Sequence, residues 1–124
     1  MMRFLFLFIS LLNIMLFSAG TAAQAFSLIS PADDETTLCA VILDWEDVPS
    51  PDTDLTYTLF LSKNDPEFKN PIYIENLDYS IRLITFDDGI EDSSNYYWKV
   101  WAINDYGEIQ ESDVRRFHTD NFLN

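Results

Sequence analysis

The chain has 124 residues and a formal net charge of −14 at pH 7, from 21 acidic and 7 basic side chains. This length predicts one domain. The charge disfavours nucleic acid and anionic membrane surfaces as partners, because phosphate groups repel so acidic a chain. Cys39 is the single cysteine, so no disulfide can form within the chain and the fold must be held by packing.

The N-terminal part, residues 1–25, is typical of a secretory signal peptide. Arg3 supplies a positive start, residues 4–17 form an apolar run, and the small residues of "SAGTAAQA" follow. The pattern predicts cleavage after Ala23 or Ala25 and a secreted or periplasmic location. The apolar run is shorter than the about 20 residues that a membrane span needs, so no stable span is expected after cleavage. An uncleaved anchor is the alternative.

The remaining domain, residues 26–124, consists of short alternating segments separated by polar turns. No segment has a helical period, and turns recur at the spacing of about 8–12 residues that is typical of a Greek-key sandwich. The pattern predicts an all-β, seven-stranded antiparallel sandwich. The predicted strands cover residues 26–30, 38–45, 55–62, 72–77, 79–86, 96–105 and 113–119.

The parity of each strand predicts which side chains share a face, because alternate residues of a strand point in opposite directions. The second strand places Cys39, Val41, Leu43 and Trp45 on one apolar face. Cys39 on that face is interpreted as a small buried hydrophobic residue. In the fifth strand, one side carries Tyr79, Ile81, Leu83 and Thr85.

Residues 27–119 resemble a fibronectin type III domain of the kind found in bacterial secreted proteins. The resemblance rests on "SPAD" (30–33), "LDWEDV" (43–48), "YTLFLS" (57–62), "YYWKVWAINDYG" (96–107) and "SDVRRFHT" (112–119). It implies an immunoglobulin-like, two-sheet sandwich with Trp45 in the core. It also implies that Tyr96 is a tyrosine-corner residue, with a buried ring and a hydroxyl bonded to nearby backbone. Trp98 is expected to pack in the core from the opposite sheet.

Catalytic chemistry is not predicted. His118 is the single histidine, so no nucleophile and base pair is visible, and the ligands of a zinc site are absent from the sequence. We expect no enzyme activity, no cofactor and no metal. The acidic stretches 46–54 and 87–95 are interpreted as solvated loops, because neither has the spaced calcium-loop pattern. Calcium binding by these loops is the alternative.

The strand at 96–105 carries large aromatic side chains on both faces. One set, with Tyr96 and Trp98, is expected to fill the core. If the third, sixth and seventh strands share a sheet, as the resemblance implies, the other set lies outward beside the third strand. This predicted binding surface comprises Phe60, Tyr97, Lys99, Trp101 and Ile103. Contiguous outward aromatics are unusual on a free surface, and Tyr and Trp are enriched at binding hot spots.

The sequence therefore predicts a stand-alone, non-catalytic binding or adhesion module that recognises a protein partner through this surface. A carbohydrate-binding accessory module that stacks the same aromatics on a polysaccharide is one alternative. The other is a structural domain with no ligand, in which the aromatics stabilise the sheet through cross-strand pairs or are covered by the tail at 120–124.

Overall fold

The computed structural model describes residues 26–49 and 54–121; the predicted signal peptide lies outside this part. Its elements are β1 Leu28–Ser30, β2 Glu35–Thr37, β3 Val41–Trp45, β4 Leu55–Lys63, β5 Tyr73–Leu77, β6 Ile81–Ile84, a 3₁₀ turn Phe86–Asp88, β7 Asn95–Asn104, β8 Ile109–Glu111 and β9 Arg115–Thr119. Within these residues, no helix is long and apolar enough to cross a bilayer.

The strands form two sheets that pack as a sandwich, which confirms the predicted fold class. The larger sheet has the order β2-β9-β7-β4-β5, with β8 paired to the second half of β7, and the smaller sheet has the order β1-β3-β6. The predicted third, sixth and seventh strands share the larger sheet. Neighbours run antiparallel, except that β9 and β2 are parallel.

Two short strands, β2 and β8, were not among the seven predicted. Each has three residues, and neither contains a fully buried position, so neither shows the apolar alternation by which strands are recognised. The predicted strand at 79–86 is also shorter in the structure. It ends at Ile84 because Thr85 caps the 3₁₀ turn, and Gly89, at φ 103°, ends that turn in the left-handed region.

The core lies between the sheets and is centred on two tryptophans. Trp45 of β3 and Trp98 of β7 are 1% and 0% exposed, and their ring centroids are 6.2 Å apart. Trp45 therefore packs from the smaller sheet and Trp98 from the larger one, as expected. Cys39 is also buried, and burial raises the pKa of its thiol, so the side chain is a neutral packing group.

The tyrosine corner implied by the family resemblance is present. Tyr96 is fully buried and stacks on Phe117 with ring centroids 5.4 Å apart. Its hydroxyl oxygen accepts a hydrogen bond from the backbone N–H of Glu91 at 2.6 Å. This bond fixes the loop before β7 against the core, because the acceptor belongs to a side chain that cannot move without opening the sandwich.

A polar cluster links the two sheets along the side formed by β5 and β6. Arg82 of β6 places Nε 2.8 Å from the Glu75 carboxylate and Nη2 3.0 Å from the Tyr73 hydroxyl, both in β5. Its Nη2 also lies 3.4 Å from Asp88. Burial, together with its hydrogen bond to Glu75, raises the pKa of Tyr73 to about 12, so the phenol stays protonated and donates to that carboxylate.

Candidate binding surface on the larger sheet

The structure places all five predicted surface residues on the outward side of the larger sheet. Phe60 lies in β4, and the other four occupy alternate positions of β7. Phe60 is directly opposite Lys99 in the β4–β7 register. All five side chains are half-buried. We call this surface the outer aromatic face, defined by Phe60, Tyr97, Lys99, Trp101 and Ile103.

Three of the five residues form one compact cluster. The rings of Phe60 and Trp101 meet edge to face, with centroids 4.7 Å apart. The Lys99 ammonium lies 5.4 Å from the Phe60 centroid and 5.8 Å from the Trp101 centroid. At these distances a cation is attracted to the faces of aromatic rings, so Lys99 holds the two rings in a fixed arrangement.

Two further residues, Phe68 and Glu111, complete the cluster and were not predicted. The Phe68 ring lies 4.8 Å from the Lys99 ammonium. The Glu111 carboxylate lies 2.9 Å from that ammonium and accepts a 2.7 Å hydrogen bond from Trp101 Nε1. Burial raises the pKa of Glu111, but the bonds from Trp101 and Lys99 outweigh it and hold the pKa below its usual range. The carboxylate is therefore ionised at neutral pH and fixes the indole.

The loop between β4 and β5 carries Phe68 back over the sheet. The Asp65 carboxylate accepts hydrogen bonds from the backbone N–H groups of Glu67, Lys69 and Asn70 at 3.1, 2.8 and 3.1 Å. The bond from Asn70 contributes most to a lowered Asp65 pKa. Phe68 itself adopts φ 56°, in the left-handed region. The Asp-Pro pair at 65–66 indicates a turn, but nothing local in the sequence indicates that the turn folds towards β7.

Tyr97 lies at one end of the outer aromatic face, away from the cluster. Its partner across the β7–β9 pair is Arg116, whose guanidinium lies 2.6 Å from Asp34. Tyr97 therefore borders a concave, polar region of about 430 Å³. The residues that line this cavity are Asp33, Asp34, Pro66, Tyr97, Val114, Arg115 and Arg116.

Ile103 lies at the opposite end of the face. It is beside Thr56 of β4 and Ile109 of β8, so it belongs to an aliphatic margin rather than to the aromatic cluster. The structure thus unites Phe60, Lys99 and Trp101, and it separates Tyr97 and Ile103 from them along β7.

The other chemically notable side chains have local partners. His118 Nδ1 lies 2.9 Å from the Asn95 side-chain oxygen. Among residues 26–49 and 54–121, no three His, Cys, Asp or Glu side chains are grouped so that they could hold a metal ion. Positions 50–53 of the acidic stretch 46–54 lie outside this part of the chain.

No family model matches the sequence, and no curated protein does. Solved structures do resemble the fold. The sixth fibronectin type III domain of human fibronectin type III domain containing protein 3 is 18% identical, with 86% of this chain and 94% of that chain covered at a TM-score of 0.56. The fibronectin(III)-like modules of Clostridium thermocellum CbhA are 14% identical over 80% and 99%, also at 0.56. This chain has the fibronectin type III fold.

A third similar structure is a β-1,2-glucanase from Parabacteroides distasonis. It is 14% identical and has a TM-score of 0.52, with 83% of this chain but 14% of that chain covered. The likeness is therefore to one small part of that protein.

Replacing Lys99 with methionine should loosen the aromatic cluster. Methionine retains the apolar stem and removes the cation, so the variant loses both the cation–π attraction and the ion pair with Glu111, together about 0.5–3 kcal/mol of unfolding free energy. Urea denaturation measures it. Lys69→Met is the matched control, because the Lys69 side chain is 74% exposed and its ammonium pairs with Glu67 at the surface. Equal stability of the two variants would contradict the role given to Lys99.

Proposed function

We propose that this protein is a non-catalytic binding module, exported from the cytoplasm, that recognises a protein partner through the outer aromatic face. One observation carries the proposal. Aromatic rings lie half-exposed on a sheet that already has a filled core on its other side, so the rings are not needed to complete that core. Half-exposed aromatics of this kind are the usual anchors of a protein interface.

The rigidity of the face supports a binding role. Lys99, Glu111 and the edge-to-face contact of Phe60 with Trp101 fix the rings before any partner arrives. A preformed surface loses little side-chain entropy on association, and that cost otherwise reduces affinity. The cavity beside Tyr97 gives the same surface a concave polar end where hydrogen bonds can fix the orientation of a partner.

A non-catalytic role is supported by the state of the side chains that could do chemistry. Cys39 is buried with a raised thiol pKa, so it is a poor nucleophile. His118 is engaged with Asn95. Neither residue lies on the outer aromatic face.

Carbohydrate binding is the second candidate. Aromatic rings on a flat sheet can stack on sugar rings, and one similar solved structure is part of a glucanase. Two rings of the face, however, meet edge to face, with an interplanar angle of 65°, so they do not form one flat platform. This geometry favours a protein partner.

The test is comparative capture by the native chain and a Tyr97→Ser/Trp101→Ser variant. Both are immobilised and exposed to an extract of the cell envelope of the source organism, and separately run in polysaccharide gels. We expect the native chain to retain a protein that the variant loses, since truncating one hot-spot aromatic costs about 2 kcal/mol, or roughly 30-fold in affinity. Retardation in the gels would identify carbohydrate as the ligand.

The control for that comparison is a pair of melting curves, which should give similar melting temperatures. If equally folded native and variant chains capture the same components, the outer aromatic face is not the binding surface. If the variant unfolds, the aromatics serve the fold.

Export makes a separate prediction. Expressed in a secreting bacterial host, the chain should lose its first 23 or 25 residues and begin at Gln24 or Phe26. Phe26 is buried against Tyr57, so a cut before it leaves the folded domain intact. Intact mass and N-terminal sequencing measure the result. Recovery of the uncut chain in the membrane fraction would support an anchor instead.

A further inference from the structure

The outer side of the smaller sheet carries an apolar surface that the binding proposal does not use. Ile42 of β3, Ile81 and Leu83 of β6, and Tyr79 just before β6 are each 46–58% exposed. Together with Glu75 and Arg82 they line a groove of about 510 Å³. We call these four apolar residues the β6 face.

The four side chains form a contiguous surface. Ile42 is directly opposite Leu83, and Asp44 is opposite Ile81. Ile42 and Leu83 form a non-hydrogen-bonded pair, in which side chains approach most closely. A solvated face of an antiparallel sheet normally carries polar side chains outward. Here the outward positions are mostly aliphatic, which is the pattern of a face that is covered in the working protein.

The backbone of β6 points to an extended occupant. Trp45 N–H donates to the Ser80 carbonyl, so by antiparallel alternation Arg82 and Ile84 exchange hydrogen bonds with β3. The amide and carbonyl groups of Ile81 and Leu83 therefore point to the opposite edge. Among the described strands, β6 pairs with β3 alone. Arg82 Nη1 donates to the Leu83 carbonyl, so that acceptor is engaged.

A strand added to this edge would meet two different environments. On one side its alternate side chains would contact Ile81, Leu83 and Tyr79. On the other they would face the group of Arg82 with its two carboxylate partners, Glu75 and Asp88, which carries a net negative charge. A partner segment that alternates apolar and basic residues matches both environments.

The charge of the chain supports a basic occupant. Each of the six Lys and Arg side chains in residues 26–49 and 54–121 lies within 3.4 Å of a carboxylate. Acidic groups nevertheless outnumber basic ones, and the chain carries a net charge of −14. A second copy of this chain would bring the same negative charge to the contact, whereas a basic segment is attracted to it.

We propose that the exposed edge of β6 and the β6 face bind an extended segment of another protein that alternates apolar residues with Lys or Arg. The segment adds as a fourth strand to the smaller sheet. It pairs with the backbone N–H groups of Ile81 and Leu83 and with the Ile81 carbonyl, and its apolar side chains cover the β6 face. This site lies on the sheet opposite to the outer aromatic face, so the two proposals fail or succeed independently.

The test uses a fluorescent decapeptide of alternating valine and lysine and a matched decapeptide of alternating valine and glutamate. Fluorescence anisotropy measures the binding of each peptide to the protein purified from a secreting bacterial host, at physiological salt. The valine–lysine peptide should bind the native chain, and the valine–glutamate peptide should not. Binding to an Ile81→Thr/Leu83→Thr variant should be about tenfold weaker or more.

The matched control is Leu38→Thr/Tyr106→Thr. These residues are 48% and 76% exposed and lie outside the groove, so their loss should leave the affinity unchanged. Threonine retains the β-branched shape that suits a strand. If the Ile81→Thr/Leu83→Thr variant unfolds, a Tyr79→Ser/Leu83→Thr variant takes its place. Equal binding by the β6 variant and the control would show charge attraction without a site and overturn the proposal.

Hydrogen exchange adds a readout of the strand itself. In the peptide complex, the amides of Ile81 and Leu83 should become protected, since these are the donors that a fourth strand would engage. Binding that leaves both amides unprotected would overturn strand addition. No peptide binding, together with dimers of the native chain in sedimentation that the Ile81→Thr/Leu83→Thr variant lacks, would make a second copy the occupant and also overturn the proposal.

Discussion

Trp98→Ala should lower the free energy of unfolding by about 3–5 kcal/mol, and Trp45→Ala by a similar amount. Both side chains are essentially unexposed and pack on each other across the two sheets, so each truncation leaves a cavity that neither sheet can close alone. A domain of this size has about 5–15 kcal/mol of stability. Either change should therefore remove much of it, measured by denaturant unfolding.

Trp98→Phe separates loss of volume from loss of the indole N–H. Nε1 of both tryptophans has no hydrogen-bond partner among the described residues, so phenylalanine sacrifices no hydrogen bond there and fills most of the space. We expect it to cost less than alanine. Trp101→Ala, at the half-buried third tryptophan, should also cost less. A Trp98→Ala variant as stable as Trp101→Ala would contradict the placement of the core.

Tyr96→Phe should cost about 1–3 kcal/mol of unfolding free energy. The change removes only the hydroxyl oxygen, yet it deprives the Glu91 N–H of its acceptor at a half-buried position. It should leave the buried ring and its stacking on Phe117 unchanged. Chemical denaturation at neutral pH measures the loss.

Tyr79→Phe is the control for the tyrosine corner. Its ring is 58% exposed, so water satisfies its hydroxyl and the change should have little effect. If Tyr96→Phe were as stable as Tyr79→Phe, the hydroxyl would contribute nothing and the loop before β7 would be held by other contacts.

Alternation predicted the core of the long strands well. In β3 and β7, alternation groups Leu43 with Trp45 and Tyr96 with Trp98, and the structure buries all four side chains. Alternation also set the side of each strand on which Phe60 and Trp101 lie. The resemblance implied that their two strands share a sheet, and the β4–β7 register confirms that they do.

Alternation was less informative for β6. Tyr79, Ile81 and Leu83 share one side, but the structure buries Ile84 and turns the larger apolar set outward. Arg82 shares the inward parity of Ile84, and it satisfies its charge with Glu75 and Asp88 at the side of the sandwich. That arrangement depends on residues from two other elements, so it is not visible in the local pattern.

The contacts that complete the outer aromatic face could not be predicted from the sequence pattern either. Phe68 reaches Lys99 because Asp65 folds its loop, and Glu111 reaches it because β8 pairs with β7. Each contact depends on tertiary placement of a short segment without apolar alternation. The pattern alone could predict which side chains of β7 face outward, but not what holds them there.

The most direct test of the outer aromatic face as a binding surface is fluorine NMR of the chain labelled with 5-fluorotryptophan. The three tryptophans report on different places: Trp45 and Trp98 on the core, and Trp101 on the outer aromatic face. On addition of the protein captured by the native chain, the Trp101 signal should shift or broaden while the two core signals stay in place. A bound partner that leaves the Trp101 signal unchanged would contradict the account.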